Sequence, residues 1–466
     1  MLLRLQHFRH VVGSASPHGA AAQAKLTLVA ASFCIFLIHL DFFALSLALP
    51  RMASELHTSP TNLHWVLSAY LLAQAAFLIP GGRLGDILGR KRILMAGLVI
   101  FGLCSLGVAL APNAGTAIAF RTVQGVGSAV IFPLAVAIVT NAFPAERVKR
   151  AIGYAYGIGA VSMALGPPFG GGITELVVWR VVPLVNVPLS IITIAIVAAG
   201  VRESRGPTVP RSIDLPGLAL VAAGIALVTL AVDLTSTWQQ PLATAGIAVV
   251  GLLTLAAFVQ RERLAKYPLV KLDLFRNRPY VIVTLMGTVA NTAMVIGVFG
   301  STVYLQQGDG RSPFAAGLIL LAASVGVGVA GPIAGRLGEH LNIPAVMGVS
   351  AAIGGIGLFM VSLGGGLGSY LPGLALFGLS YGVGYTMSNI GTQSVVAREL
   401  VGEASGVTLA IVVGVAGLGV AAAATLIDIQ SRSVGLTEAI EDTLRWTAAG
   451  SIVASGLLLL FARRRP

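Results

Sequence analysis

Apolar runs of about 20 residues recur along the whole chain, each long enough to cross a hydrocarbon layer ~30 Å thick as a helix. Polar and charged residues gather in the short stretches between them. The alternation predicts fourteen helical spans, over 26–49, 62–82, 92–111, 115–139, 151–172, 180–200, 214–232, 242–260, 279–305, 314–335, 345–363, 369–393, 404–427 and 446–462. The tightest junctions fall at 111–115 and 363–369. The fold class this predicts is an all-α integral membrane protein.

Composition agrees. Mean hydropathy is +0.88, and 10% of residues are charged. The net charge of +12 would suit a nucleic acid, but the basic residues are sorted by side. With the N-terminus inside, Arg83, Arg90, Lys91 and Arg92 share one inner loop and Arg147, Lys149 and Arg150 the next. Arg202, Arg205 and Arg211 follow, then Arg261, Arg263, Lys266, Lys271, Arg276 and Arg278. About 24 of the 30 Lys and Arg lie inside and about 5 outside, which is the positive-inside rule. A multi-pass protein of the cell membrane with both termini cytoplasmic is expected, and no nucleic-acid partner. Cys34 and Cys104 lie in apolar spans and fill core. Residues 1–20 lack a signal peptide's apolar core, so the first span is its own insertion signal.

Two short sequences recur. Gly82-Arg83-Leu84-Gly85-Asp86 ends span 2 and Gly335-Arg336-Leu337-Gly338-Glu339 ends span 10, 253 positions later. Gly125-Val126-Gly127 in span 4 is answered by Gly382-Val383-Gly384 in span 12, 257 positions later. These echoes divide the chain into a cytoplasmic tail (1–25), a six-helix bundle (26–200), a linker with two inserted helices (201–278), a second six-helix bundle (279–462) and a short tail (463–466).

Two charges sit inside apolar spans, Asp41 in span 1 and Arg121 in span 4. Either one in lipid costs roughly 3 kcal/mol or more, so both are expected in a polar interior. Arg121 lies about six residues from the outer end of span 4, or ~9 Å, and Asp41 about nine from that of span 1, or ~14 Å. At such similar depths they reach one another directly or through water. A cation beside Asp41 favours its ionised form and burial its neutral form, so moving the arginine or wetting the site switches proton affinity. The alternative is a static pair that only fixes packing. In the second half the position equivalent to Arg121 is Gly378. Gln124 shares the helix face of Arg121. Tyr70, Gln74, Asn291, Tyr381 and Tyr385 are candidates to line a substrate cavity or to bridge helices. His39, two residues from Asp41, points elsewhere and reads as packing. The seven histidines form no metal-binding cluster. No phosphate-cradling loop is present, no Ser-His-Asp arrangement is credible, and no enzyme activity is expected.

Several stretches carry a family resemblance. Gly82 to Arg92, with Gly82, Asp86, Gly89 and Arg90 at their positions, resembles the loop 2–3 signature of the major facilitator superfamily. The resemblance implies a latch: Asp86 would face the N-terminus of span 13 near Glu403-Ala404-Ser405, and Arg90 would join a salt bridge, with Glu146 as partner. Arg121 to Gly127 resembles the span 4 motif of proton-coupled members. In span 5, Gly157, eight residues, Gly166-Pro167, two residues and Gly170-Gly171 resemble the antiporter motif, which marks drug exporters that exchange drug for proton. Leu40-Asp41 with Ala48-Leu49-Pro50, Trp65 and Tyr70, Trp179-Arg180, Asn186-Val187-Pro188 and Asp214-Leu215-Pro216-Gly217 are similar to the fourteen-span drug:proton antiporter branch. So are Tyr304-Leu305-Gln306 and Ser312-Pro313-Phe314-Ala315-Ala316-Gly317. Phe43 and Ser46 depart from its usual threonine and asparagine.

The resemblance implies the major facilitator fold: two six-helix bundles plus two inserted helices, with a substrate site between the halves near mid-membrane. It also implies export of drugs, antibiotics or other amphiphiles by alternating access, as a monomer in the lipid bilayer. The proton gradient is then the driving force, and no cofactor is needed. A metabolite or sugar symporter of the same fold is one alternative, which the span 5 motif argues against. A non-transporting membrane sensor is the other.

Overall fold

The computed structural model describes residues 17–59, 62–205, 214–237, 240–364, 366–397 and 400–463. Among them lie fourteen α-helices and no strand. The first six are α1 (Pro17–Glu55), α2 (Trp65–Leu88), α3 (Arg90–Ala109), α4 (Ala114–Ala142), α5 (Ala145–Leu176) and α6 (Val181–Gly200). Two more, α7 (Leu215–Thr237) and α8 (Pro241–Leu264), form a hairpin. The last six are α9 (Arg278–Val303), α10 (Pro313–His340), α11 (Ile343–Val361), α12 (Leu367–Val395), α13 (Val401–Val434) and α14 (Leu436–Arg463).

Each expected span has its helix. Among the described residues, twelve of the fourteen helices are long and apolar enough to cross a membrane. The other two are α5 and α12, of 32 and 29 residues. The tight junctions hold as well: Asn113 Oδ1 accepts from the Thr116 amide at 2.9 Å and starts α4 four residues after α3 ends. Helix ends differ from expectation. α1 starts at Pro17, inside the stretch expected as a tail, and runs on to Glu55. α14 starts at Leu436, ten residues before the expected span. Its first turns carry Glu438, Glu441, Asp442 and Arg445, which read as loop on hydropathy alone. They form helix because Glu441 and Asp442 pair with Arg445 at i,i+4 and i,i+3 spacing, at 3.0 and 2.8 Å.

Helices α1–α6 pack among themselves, as do α9–α14, and α7 lies against α2 and α13. The two halves meet through α5 on α10 and α2 on α13. Their internal packing repeats. A Cβ on Gly125 of α4 would fall onto the Tyr70 carbonyl of α2, and one on Gly382 of α12 would sit 3.1 Å from Val327 Cα of α10. Tyr70 and Val327 are 257 positions apart, the same offset as the two glycines. The echo in sequence is therefore an echo in helix contact.

The Arg83, Arg90, Lys91 and Arg92 side of the molecule is its basic end, and the opposite side its far end. At the far end the halves are clamped. A Cβ on Gly171 of α5 would strike the Pro313 carbonyl of α10, and one on Gly317 of α10 the Pro167 carbonyl of α5. Gly166 and Gly170, on another face of α5, give the same closeness to Phe43 and Ala44 of α1. Toward the basic end this contact lapses: a Cβ on Gly157 meets no described atom within 4 Å. Of the four motif glycines Gly157, Gly166, Gly170 and Gly171, then, Gly157 is the one that no described neighbouring helix requires.

Overpacking of a tight helix contact costs about 1–3 kcal/mol. Gly170→Ala is expected to lower the thermal midpoint of the purified protein. Gly157→Ala leaves it unchanged or raises it, alanine being the better helix former by roughly 1 kcal/mol.

Candidate functional site

Five helices of the N-terminal half converge on one carboxylate. Asp41 of α1 is 1% exposed and Arg121 of α4 is 0% exposed. Arg121 Nη1 lies 2.5 Å from Asp41 Oδ2. The other carboxylate oxygen accepts from Asn186 Nδ2 of α6 at 2.6 Å and from Gln124 Nε2 at 3.3 Å. Gln124 reaches both partners because it stands one turn after Arg121, whose Nη1 also donates to its Oε1 at 2.9 Å. Asn186 is steadied from α3: its Nδ2 also donates to Ser105 Oγ at 2.9 Å, and that hydroxyl donates to the Pro183 carbonyl at 2.8 Å.

The guanidinium is held from α2. Its Nε donates to the Val66 carbonyl at 3.0 Å, and its carbon sits 4.2 Å from the centre of the Tyr70 ring, a cation–π distance. Its remaining nitrogen, Nη2, is buried without a hydrogen-bond partner. The second half shows what this arginine displaces. Gly378, its counterpart, brings α12 so close to α10 that a Cβ would strike the Ala323 carbonyl. Ala323 is the counterpart of Val66 at the same 257-residue offset. At this position the second half packs on backbone, and in the first a guanidinium bonds the equivalent carbonyl.

The sequence brings Asp41 and Arg121 together, with Gln124 on the same helix face as Arg121, and the structure does the same; Tyr70, a candidate to line a cavity or bridge helices, lies under the guanidinium. Sequence reasoning misses Asn186 and Ser105. A signal existed: Asn186 is five residues past the start of α6, as Arg121 is seven past the start of α4, at the same end of the bundle.

The other cavity candidates are placed differently. Asn291 Nδ2 donates to the Val412 carbonyl at 3.2 Å and so bridges α9 to α13. Tyr381 is turned into its own bundle, where its hydroxyl meets Ser451 Oγ of α14 at 2.5 Å and its ring lies under Gly354. It does not face the other half, because α12 presents that side chain to α11 and α14. Tyr385 is half-buried beside the main apolar core. Gln74 is buried on α2, near the place where Leu71 and Ala75 meet Gly417 and Gly414 of α13. His39 packs edge-on against Phe132, ring centres 6.1 Å apart, and against Gly159 of α5.

The loop 2–3 residues form a compact basic-end joint. Gly85 lies against Leu134, where a side chain would collide. Gly89 has φ 121°, a region that favours glycine, and leaves room for the Glu203 carboxylate. Glu203 accepts from the Lys91 and Arg92 amides at 3.0 and 3.2 Å, capping α3. Gly82 lies beside Pro133. Asp86 was expected to face α13, but its described partner is Arg90, one turn on, at 2.7 Å. That pair is local to one half. The side chains of Glu146 and Glu403 lie outside the described residues.

At the far end the clamp has a polar rim. Gln306 Nε2, in the π-helical turn Tyr304–Gly308, donates to the Leu47 carbonyl of α1 at 3.1 Å. Glu175, beyond the apolar part of α5, accepts from the Phe314 amide of α10 at 2.9 Å and from the Ser312 hydroxyl. The Ser312 and Phe314 hydrogen bonds, with Arg51 nearby, hold the Glu175 carboxyl below its usual value.

A profile of the Major Facilitator Superfamily matches residues 31–424. The chain belongs to this superfamily. Among relatives of this facilitator is the tetracenomycin C resistance and export protein of Streptomyces glaucescens, 28% identical over 82% of this chain and 71% of that one. The drug efflux pump JefA of Mycobacterium tuberculosis is 32% identical over 77% of this chain and 71% of its own. The cephamycin export protein CmcT of Amycolatopsis lactamdurans is 35% identical over 75% and 73%. Solved structures share the fold. A POT family transporter in complex with 5-aminolevulinic acid has TM-score 0.66 at 13% identity, covering 93% of this chain and 95% of that one. The POT family transporter PepTSo has TM-score 0.65 at 15% identity, covering 97% and 98%.

Two outcomes are expected. Arg121→Ala strands a buried carboxylate and destabilises the protein by about 3–5 kcal/mol, read by thermal unfolding, and adding Asp41→Asn recovers part of the loss. For Glu175 the sign follows from its lowered value: its contribution to the clamp is full above the ordinary glutamate pKa of about 4.3 and is lost as pH falls through the lower, native one. Spin-label distances between the far ends of α5 and α10 therefore stay constant through neutral pH and widen only in acid below the usual carboxylate range. In Glu175→Gln the separation no longer responds to that acid step.

Proposed function

We propose that this facilitator is a proton-coupled antiporter exporting drugs, antibiotics or other amphiphilic small molecules across the cytoplasmic membrane. The relatives named for drug efflux and antibiotic export support the substrate class. The observation that carries the coupling is the sealed Asp41–Arg121 pair. The sorting of Lys and Arg supports an orientation with the basic end and both termini in the cytoplasm. The far end is then outside, and the clamp is the closed outer gate of an inward-facing carrier.

In this reading Asp41 takes a proton from outside when the gate parts. Protonation removes the charge that holds Arg121 Nη1, and Gln124 and Asn186 keep the neutral acid hydrogen-bonded. The guanidinium remains on the Val66 carbonyl and the Tyr70 ring. The cycle turns inward, the proton leaves to the cytoplasm, and the restored ion pair tightens α1 on α4 and α6. Substrate loaded from the cytoplasm or the inner leaflet goes out on the return stroke. Each proton contributes about 2.3 kcal/mol per 100 mV of membrane potential. The carrier works as a monomer with no cofactor, and it makes or breaks no covalent bond.

The acidic side chains described in α9–α13 are Glu339 and Asp428, both near helix ends. Neutral or singly cationic amphiphiles therefore fit better than dications.

The test is export by everted vesicles. Asp41→Asn keeps the size of the side chain and is expected to abolish proton-driven accumulation while leaving substrate binding measurable. Wild-type rates in that variant would end the assignment. Proton uptake in the same direction as substrate would make the protein a symporter, and no flux under any gradient would make it a sensor.

A further inference from the structure

The inserted hairpin holds a second pair of acids. Asp214, at the start of α7, is 6% exposed, and Glu262, near the end of α8, is 3% exposed. Arg261 is committed to Asp214 alone, its Nε 3.1 and 3.0 Å from the two carboxylate oxygens and its Nη2 3.0 Å from Oδ1. Glu262 Oε2 accepts from the Val270 amide at 2.7 Å, with the Leu269 amide beside it. Glu262 Oε1 is buried with no hydrogen-bond partner. It shares a space with the other acid: Asp214 Oδ2 and Glu262 Oε1 each lie 2.8 Å from the point where a Cβ on Gly217 would stand. The glycine leaves that space to the two carboxylates.

Among the described residues these two buried carboxylates have one guanidinium, that of Arg261 on Asp214, and so carry one negative charge too many. A metal cation would relieve it, but calcium needs six to eight oxygen ligands and magnesium a full octahedron. Here both Asp214 oxygens are already taken by Arg261. A proton on Glu262 Oε1 needs only one further lone pair, and Asp214 Oδ2, beside the same Gly217, has one left besides its bond from Arg261. It turns repulsion into a charge-assisted hydrogen bond, as when two carboxylates share a site.

The segment beside this pair joins the halves. Residues 265–277 leave α8 and enter α9. Glu262 holds it at Val270, Arg83 of the loop 2–3 signature donates to its Pro268 carbonyl at 3.0 Å, and Asn277 at its end donates to the Val395 carbonyl of α12 at 2.7 Å. Among the described residues, the charged groups near Glu262 are Asp214 from α7 and Arg261 from its own helix, while the strap offers it backbone amides and Arg83 meets the strap rather than the carboxylate.

We propose that Asp214 and Glu262 share one proton, and that this proton keeps Glu262 in place to fasten the strap between the two halves at the basic end. When the proton leaves, two like charges face each other, Glu262 swings off Asp214, and the Val270 tie loosens. This site is separate from Asp41 and does not depend on the antiport reading.

Infrared spectroscopy of the purified full-length protein tests it. The wild-type spectrum minus that of Glu262→Gln is expected to show one protonated-carboxyl band at neutral pH, the same in sodium and potassium buffers. The band is expected to fade as pH rises and to shift in Asp214→Asn, which keeps an acceptor but removes the charge. Trypsin cleavage after Lys266 and Lys271 should speed up several-fold with rising pH relative to Glu262→Gln, whose amide donates to Asp214 at every pH. No such band in either variant's difference spectrum at any pH, or a band that follows the sodium concentration, would overturn the shared proton. A cleavage ratio independent of pH would overturn its hold on the strap.

Discussion

An ion pair with no access to water governs the N-terminal half. Asp41 and Arg121 are sealed inside six apolar helices, where neither charge is tolerable alone. Removing one partner of such a pair costs about 3–5 kcal/mol, so every helix around it is tied to it. α4 carries Arg121 and Gln124, α6 contributes Asn186, α3 steadies Asn186 through Ser105, and α2 offers a carbonyl and an aromatic face. The far ends of five helices are thus joined through one carboxylate, and a change in its charge is felt by all of them at once.

The second half has the same helix plan without that joint. Where α4 places a guanidinium on an α2 carbonyl, α12 sets Gly378 directly on the α10 backbone. Glycine at such a contact stiffens the pair by close backbone packing, whereas the arginine makes the equivalent contact depend on charge. The two halves therefore differ in character: one has a buried ion pair at its core and the other is packed on glycine. The α5 glycines couple them, with Gly166 and Gly170 set against α1 beside Asp41 and Gly171 against α10. Phe43 and Ala44, which those glycines meet, are two and three residues from Asp41. In the proposed cycle, that face is where a movement of α1 on protonation would reach the outer gate.

Much of this was legible in the sequence. Run length and polarity fix the fourteen helices, because lipid leaves a chain little other choice. The Asp41–Arg121 contact follows from depth alone, since each is rare at its level in the membrane. The family signature in α5 places its glycines at helix contacts, with Gly157 as the exception. Less legible were orientations around a helix axis within an apolar protein. Tyr381 could line a cavity or bridge helices, and it bridges α12 to α14, a choice left open because a tyrosine in a sequence apolar on every side carries no signal of facing. Asn186 was noted for its place in a motif, yet its bond to Asp41 needs α6 and α1 side by side, which no local pattern states. Asp86 pairs with Arg90, four residues on in the same motif, a contact that helix spacing alone makes legible.

The central claim is that Asp41 exchanges its proton against substrate. The most direct measurement is the pH change in a weakly buffered detergent solution of purified protein when an exported compound is added. The account predicts proton release from the wild type near one per molecule at a pH where Asp41 starts protonated, and none from Asp41→Asn. Equal release from both proteins, or binding with no release at any starting pH, would contradict it.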